Sequence, residues 1–192
     1  MRKVSKSEPP TAPTVVALTG FMGAGKSTVG RVLGALAHWR FIDLDCEIEV
    51  RAKRRIHEIF AMQGESRFRE IEAETLRSAL KHVSAPTVIA LGGGTFVQTQ
   101  NADLLLANGV HVVFLELEVE ELLERCRCTR EHSPQNPRPL ADNAGAFCEL
   151  YAQRLPSYRK AQLTVNTKGK TAEQVAREIM TKLRPAVPGR RR

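Results

Sequence analysis

Eight residues near the start of the sequence constrain this chain more than any others. Gly20-Phe-Met-Gly-Ala-Gly-Lys-Ser27 fits the pattern G-x-x-x-x-G-K-[ST] in full. It stands where that pattern has a physical meaning, after an apolar run of strand length and before a segment of helical periodicity. The run is Thr14-Val-Val-Ala-Leu-Thr19, and the helical segment extends from Lys26 to Ala37. Glycines at 20, 23 and 25 let backbone N–H groups turn inward around an anion. The helix starting near Lys26 points the positive end of its dipole at the same anion. Lys26 can reach β- and γ-phosphates, and the Ser27 hydroxyl can ligate Mg²⁺. The alternative is a glycine-rich turn that merely precedes a helix. The strand–loop–helix context favours a nucleoside-triphosphate site.

The rest of the chain repeats this alternation. Short apolar strands are expected at Arg40–Asp43, Thr87–Leu91, His111–Glu116 and Leu163–Thr167. Helical patterns run from Cys46 to about Lys53, from His57 to Met62 and from Glu65 to about His82. Others cover Ala102–Ala107, Val119–Cys128 and about Ala144–Gln153. Thr171-Ala-Glu-Gln174 is a capping box that opens a last helix ending near Leu183. Strands separated by helices imply parallel pairing with right-handed crossovers. Non-alternating apolar strands fit a sheet covered on both faces. The expected class is α/β, a three-layer sandwich in a single domain over 14–183. Residues 129–142 lose all periodicity and carry three prolines among their polar residues. So long a loop inside a compact domain suggests a functional, mobile lid.

Composition removes other classes. No apolar run approaches the ~20 residues of a membrane span. The net charge of +8 invites a nucleic-acid partner, but its placement does not. Residues 1–13 carry a net +2 and residues 181–192 a net +5, which leaves +1 for everything between. The charge lies on Pro- and Arg-containing ends, expected to be a disordered lead-in (1–13) and a basic tail (184–192). Aromatics at 5% offer little for base stacking. Cys46, Cys126, Cys128 and Cys148 have no spacing that suggests a bridge or a zinc site. Reduced thiols and the absence of an apolar leader in Met1–Pro10 point to a cytoplasmic protein.

Other residues carry possible chemistry. Asp43 and Asp45 flank Leu44 at the end of the second strand, where i, i+2 side chains share a face. Ligands of doubly wound sheets sit beyond these strand ends. One carboxylate could hold Mg²⁺ and the other could take a proton from an attacking hydroxyl. Helix capping by Asp45 is the alternative. Gly92-Gly93-Gly94 follows the third strand and would let backbone approach a ligand, or would simply form a flexible turn. Arg69 and Glu72 share a helix face at i, i+3, as a solvated pair commonly does. Phe60 and Phe68 read more readily as core than as substrate wall. Arg138 could reach a transferring phosphoryl group or be plain surface charge. Arg154, expected at a helix end, could be a C-terminal cation or a carboxylate clamp.

Together these segments resemble the shikimate kinase family over about Val15 to Ile179. The marks are Gly20–Gly30, Phe-Ile-Asp-Leu-Asp45, Ile-Phe-Ala-Met-Gln-Gly-Glu65 and Phe-Arg-Glu-Ile-Glu72. They continue with Leu-Gly-Gly-Gly94, Arg-Pro-Leu140 and Arg-Leu-Pro-Ser-Tyr158. The resemblance implies a five-stranded parallel sheet in the order 2-3-1-4-5, a substrate-binding subdomain over about 44–82, and a lid over about 129–142. It implies transfer of the γ-phosphoryl group of ATP to the 3-hydroxyl of shikimate, in chorismate and aromatic amino acid biosynthesis. ATP would lie on Gly23, Ala24, Gly25, Lys26, Ser27, Thr28 and Arg138. Mg²⁺ would sit with Ser27 and Asp43. Lys26, Asp45 and Arg138 would be catalytic, with Asp45 as the base. Arg69 and Arg154 would clamp the substrate carboxylate. Glu72 would hold Arg69 and touch the ring hydroxyls. Gly92, Gly93 and Gly94 would give backbone contacts, and Phe60 and Phe68 would wall the ring. A monomer with no nucleic-acid or membrane partner is expected.

The sequence departs from that family's pattern in the lid. Ala141 follows Leu140 where a second leucine is usual, and the segment from Glu131 to Pro137 is long. Cys128 precedes Thr129 where an adenine-stacking arginine is common, so Arg127 or Arg130 would take that place. No proline near Lys170–Ala172 matches the one that often lines the other face of the adenine. Two other readings are a kinase for a related carboxylated polyol such as gluconate, and a nucleotide-binding regulatory or RNA-associated protein using the basic tail.

Overall fold

The structure is a computed structural model that describes residues 14–132 and 143–183, with side chains left aside for 129–132. Its elements follow in chain order. They are β1 (Val15–Thr19), α1 (Lys26–Ala37), β2 (Arg40–Asp43), α2 (Leu44–Ala52), α3 (Ile56–Lys81) and β3 (Thr87–Ala90). A 3₁₀ turn (Thr95–Val97) leads to α4 (Thr99–Ala107), β4 (His111–Glu116), α5 (Val119–His132), α6 (Ala144–Tyr158), β5 (Leu163–Asn166) and α7 (Ala172–Leu183).

The five strands form one sheet in the order β2-β3-β1-β4-β5. All four pairings are parallel. In register, Ala17 lies between Ile89 of β3 and Val112 of β4. The sheet is covered on both faces, as its apolar strands require. Val16 and Leu18 of β1 pack with Val29 and Leu33 of α1, Phe147 of α6 and Ile179 of α7. Val15 and Ala17 of the same strand face the opposite way, toward Ile48 of α2, Phe68 and Leu76 of α3, and Leu105 of α4. One strand therefore serves two cores, and the expected three layers are present. Each fully buried Leu, Ile or Phe contributes roughly 1.5–3 kcal/mol to holding them together.

Four differences from the sequence reading bear on the site. Helix α5 runs to His132, four residues into the stretch 129–142 expected to be a loop. Leu44 begins α2 directly after β2, so Asp45 stands in a first helical turn and not on a strand. The cap is Asp43, not Asp45: the N–H groups of Asp45 and Cys46 donate to Asp43 Oδ1 at 3.2 and 3.5 Å. Helix α3 joins the two expected helical patterns across a kink at Gly64 (φ 77°, ψ 175°). Helix α6 continues through Pro156 to Tyr158, so Arg154 lies inside the helix and not at its end. Proline loses only one ladder bond this close to a C-terminus, and burying Tyr158 completely carries the helix past it.

Candidate active site

The C-terminal ends of β1, β2 and β3 each run into a loop or helix start that carries chemistry, as the switch point of a doubly wound sheet demands. After β1, the phosphate loop turns back on itself. Gly23 and Gly25 take φ 83° and 85°, values that ordinary side chains resist. The Ala24 N–H closes the turn on the Phe21 carbonyl at 3.2 Å. Gly25 caps α1, whose first residues are Lys26, Ser27 and Thr28. Lys26 Nζ donates to the carbonyls of Gly20 and Phe21, at 2.9 and 3.0 Å. The ammonium is thereby held across the loop mouth, where phosphates would accept those protons in place of carbonyls.

After β2, Asp45 projects from the first turn of α2. Burial pushes its carboxyl up to about 6 from the ordinary 3.8. The Lys26 ammonium opposes that shift, and the charges of Asp43, Glu72 and Glu49 add to it. This carboxyl thus feels the charge of both the phosphate-loop lysine and a second acid.

That second acid is Glu72 in α3, 1% exposed. Its Oε2 accepts from Arg69 Nη1 at 3.0 Å, and its Oε1 accepts from the Thr95 hydroxyl at 2.6 Å. Arg69 is held from a second side by Glu65, whose Oε1 accepts from Nε and Nη2 at 3.2 and 2.9 Å. The guanidinium also lies over the Phe68 ring, with 5.1 Å to its centroid. Phe68 packs against Phe60 at 4.5 Å between ring centroids. Phe68 is buried, whereas Phe60 keeps 38% exposure and can offer a ring face to a ligand.

The Gly92–Gly94 loop after β3 closes the group. A Cβ on Gly92 would lie 2.8 Å from Asp45 Oδ1 and 3.2 Å from Glu72 Oε1. A Cβ on Gly94 would lie 2.6 and 2.7 Å from Arg69 Nη1 and Nη2. Bare glycine here makes room for the protein's own acids and guanidinium, a more specific reason than loop flexibility. The Gly93 carbonyl accepts from Arg154 Nη1 at 3.3 Å and from the buried Tyr158 hydroxyl. Arg154 also lies over the Phe21 ring of the phosphate loop, 5.8 Å from its centroid. Burial pushes the Tyr158 phenol up to about 12, against the lowering charges of Arg154 and Arg69.

Lys26, Asp45, Arg69, Glu72, Arg154 and the three glycines therefore converge on one end of the sheet. Asp43 stands beside them with one oxygen engaged in capping α2. Arg138 and most of the expected lid lie outside the described residues. Sequence reasoning assigned no individual role to Glu65, Thr95, Phe21 or Tyr158. Glu65 and Tyr158 do stand at the ends of distinctive segments, and Thr95 directly follows the triple glycine, but only the fold shows what each touches.

The metal implied by a triphosphate site is tested by its donors. Among the described residues no cluster of three or more His, Cys, Asp and Glu side chains forms a metal cage. A hydroxyl at a helix start and one carboxylate suit a hard ion that keeps waters and takes its other ligands from phosphates. Ser27 and Asp43 fit such an ion.

The family model for shikimate kinase matches residues 22–184. This chain belongs to the shikimate kinase family. A shikimate kinase of Geobacter sulfurreducens is 43% identical over 172 residues, covering 88% of this chain and 90% of that one. One from Thermus thermophilus is 39% identical over 182 residues, covering 94% and 95%. Among solved structures, shikimate kinase from Acinetobacter baumannii in complex with shikimate superposes with a TM-score of 0.77 at 34% identity, covering 90% and 93%. A Sinorhizobium meliloti gluconokinase reaches 0.58 at 15% identity, covering 91% and 93%, which shows a shared fold alone. The sheet order and layers are those that shikimate kinase membership implied. No described helix is long and apolar enough to cross a membrane.

Proposed function

We propose that this chain transfers the γ-phosphoryl group of ATP to the 3-hydroxyl of shikimate, giving ADP and shikimate 3-phosphate. The observation that carries the reading is Asp45, a carboxyl raised to about 6 that feels the Lys26 charge and meets Glu72, the partner of Arg69, at the Gly92 loop. A base tuned toward neutrality thus stands near both a phosphate loop and a carboxylate-binding guanidinium. The acceptor is then an acid that also carries a hydroxyl, and family membership names it as shikimate.

In this reading Asp45 accepts the proton of the 3-hydroxyl as its oxygen attacks the γ-phosphorus, and ADP departs with the bridging oxygen. Lys26 exchanges its two loop carbonyls for phosphate oxygens and stabilises the charge that spreads over them. Gly23, Ala24, Gly25, Ser27 and Thr28 hold the phosphates by backbone and hydroxyl donors. Arg69 and Arg154 take the substrate carboxylate, a task for planar guanidinium forks. Glu72 orients Arg69 and meets the ring hydroxyls, while Phe60 and Phe68 border the ring and Gly92–Gly94 give it backbone room. Arg138, carried by a lid over about 129–142, adds positive charge to the phosphoryl group when that lid closes. Mg²⁺ held by Ser27 and Asp43 would neutralise phosphate charge when bound. We assign the acceptor subdomain to about 44–82 of a single kinase domain over 14–183. The enzyme acts as a cytoplasmic monomer, and its basic ends play no part in nucleic-acid binding.

A coupled ADP-release assay with Mg·ATP tests this, run without acceptor, with shikimate and with gluconate. Turnover with shikimate alone is expected. Turnover with gluconate alone, or none that depends on an acceptor, overturns the reading.

A further inference from the structure

Glu72 is a buried carboxylate whose two oxygens have different partners. Oε2 accepts from Arg69 and Oε1 accepts from Thr95. A carboxylate tied by one oxygen can pivot about that bond, whereas one tied by both has a fixed plane. Fixing that plane fixes the angle of the guanidinium bonded to it. Arg69 needs such help, because a long flexible side chain loses much rotamer freedom when it is ordered. Its other anchor, Glu65, is 66% exposed and constrains it weakly.

Thr95 is well placed to supply the second tie. It is fully buried and starts the 3₁₀ turn directly after the triple glycine. Its N–H donates to the Gly92 carbonyl at 3.2 Å, so the residue is locked into the loop that borders the acceptor site. Its hydroxyl lies 3.0 Å from the point where Gly92 would carry a Cβ, the same point approached by Asp45 Oδ1 and Glu72 Oε1. A hydroxyl has one proton to donate, and here it goes to Glu72. Loss of that bond would leave one oxygen of a buried anion without its partner.

We infer that Thr95 is a positioning residue of the acceptor site, fixing Glu72 and, through Glu72, the guanidinium of Arg69. It touches no reacting atom. This rests on the acceptor reading of Arg69 given above. The chemical consequence is selective: orientation of the acceptor's carboxylate clamp depends on Thr95, and grip on the nucleotide does not.

Thr95→Val and Thr95→Ala test it, with Thr95→Ser as the conservative control. Two removals are used because valine adds a methyl where the hydroxyl was and alanine does not. Both are expected to raise KM for shikimate about tenfold, the effect of losing one hydrogen bond to a charged group. KM for ATP should stay within about twofold, and Thr95→Ser should restore the wild-type value. An unchanged KM for shikimate, an equal rise in both KM values, or failure of serine to rescue overturns the inference. A second readout needs no acceptor. The Nε–H resonance of Arg69, identified by its loss in Arg69→Lys, should shift in Thr95→Ala and return in Thr95→Ser. If wild-type protein does not phosphorylate shikimate, the functional reading fails, and this resonance alone decides the positioning role. An unmoved resonance then rejects it.

Discussion

If Asp45 is the base proposed above, one residue trades stability for chemistry. Its carboxyl is raised to about 6 by burial first, with Lys26 pulling the other way. Activity that needs the ionised form should fall on the acid side with an apparent pKa near that value. Because the folded-state value exceeds the ordinary 3.8, the folded protein binds this proton more tightly than the unfolded chain does. The ionised group therefore destabilises the fold above pH ~6, and the penalty fades as pH falls toward ~4. Asp45→Asn removes the charge and keeps the shape. It is expected to abolish most turnover, to leave ATP affinity within about threefold, and to stabilise the protein at pH 8 by on the order of 3 kcal/mol. Thermal melts at pH 8 and pH 4.5 check the sign, since the gain should shrink at the lower pH. A variant with near-wild-type turnover would remove Asp45 from the role of base.

Helix α6 links a structural element to the site in a way its sequence only half reveals. The periodicity of Ala144–Gln153 suggests a helix that stops before Arg154, because proline at 156 argues against continuation. Tertiary burial overrides that local signal, and the added segment 154–158 brings Arg154 and Tyr158 to the Gly93 carbonyl. A local signal, the Asp43 side chain capping α2, places Asp45 on a helix. The spacing of Asp43 and Asp45 is legible, but the identity of the cap depends on where β2 ends, a matter of one residue. By contrast the phosphate loop was legible in full, because its glycine spacing and its flanking strand and helix all specify one structure. Tyr158→Phe tests the α6 link. Removing a buried hydroxyl from its acceptor should cost about 1 kcal/mol, a fall of about 2–4 °C in Tm for a domain of this size. KM for shikimate should rise more than KM for ATP, because the tyrosine ties the loop on the acceptor side. An unchanged Tm with both KM values unchanged would show that Arg154 alone holds Gly93.

At the scale of the whole molecule, the sheet divides labour between its faces and its ends. The alternating residues of β1 feed two separate cores, and these reach the proposed site through Phe21, Ala24 and Tyr158 on one face and Phe68 on the other. Among the described residues the proposed chemistry gathers at the C-terminal strand ends, so charge elsewhere on them is expected to be neutral toward turnover. The formal charge of +8 is the sharpest test of that separation. Most of it belongs to the two ends of the sequence, and residues 14–180 carry a net of only +1. Substrates that are both anions could in principle be steered by a distant positive field, an effect that falls steeply with ionic strength. A Debye length of about 8 Å at physiological salt limits such steering to charges near the site mouth. Deleting residues 184–192 removes Arg184, Arg190, Arg191 and Arg192. This truncation is expected to leave kcat and both KM values within about twofold at 150 mM salt, with any difference in KM confined to low salt. Gel-shift titration against RNA should show the same weak binding before and after deletion. A salt-steep RNA affinity lost with those residues would instead assign the tail a function of its own and reopen the RNA-associated reading.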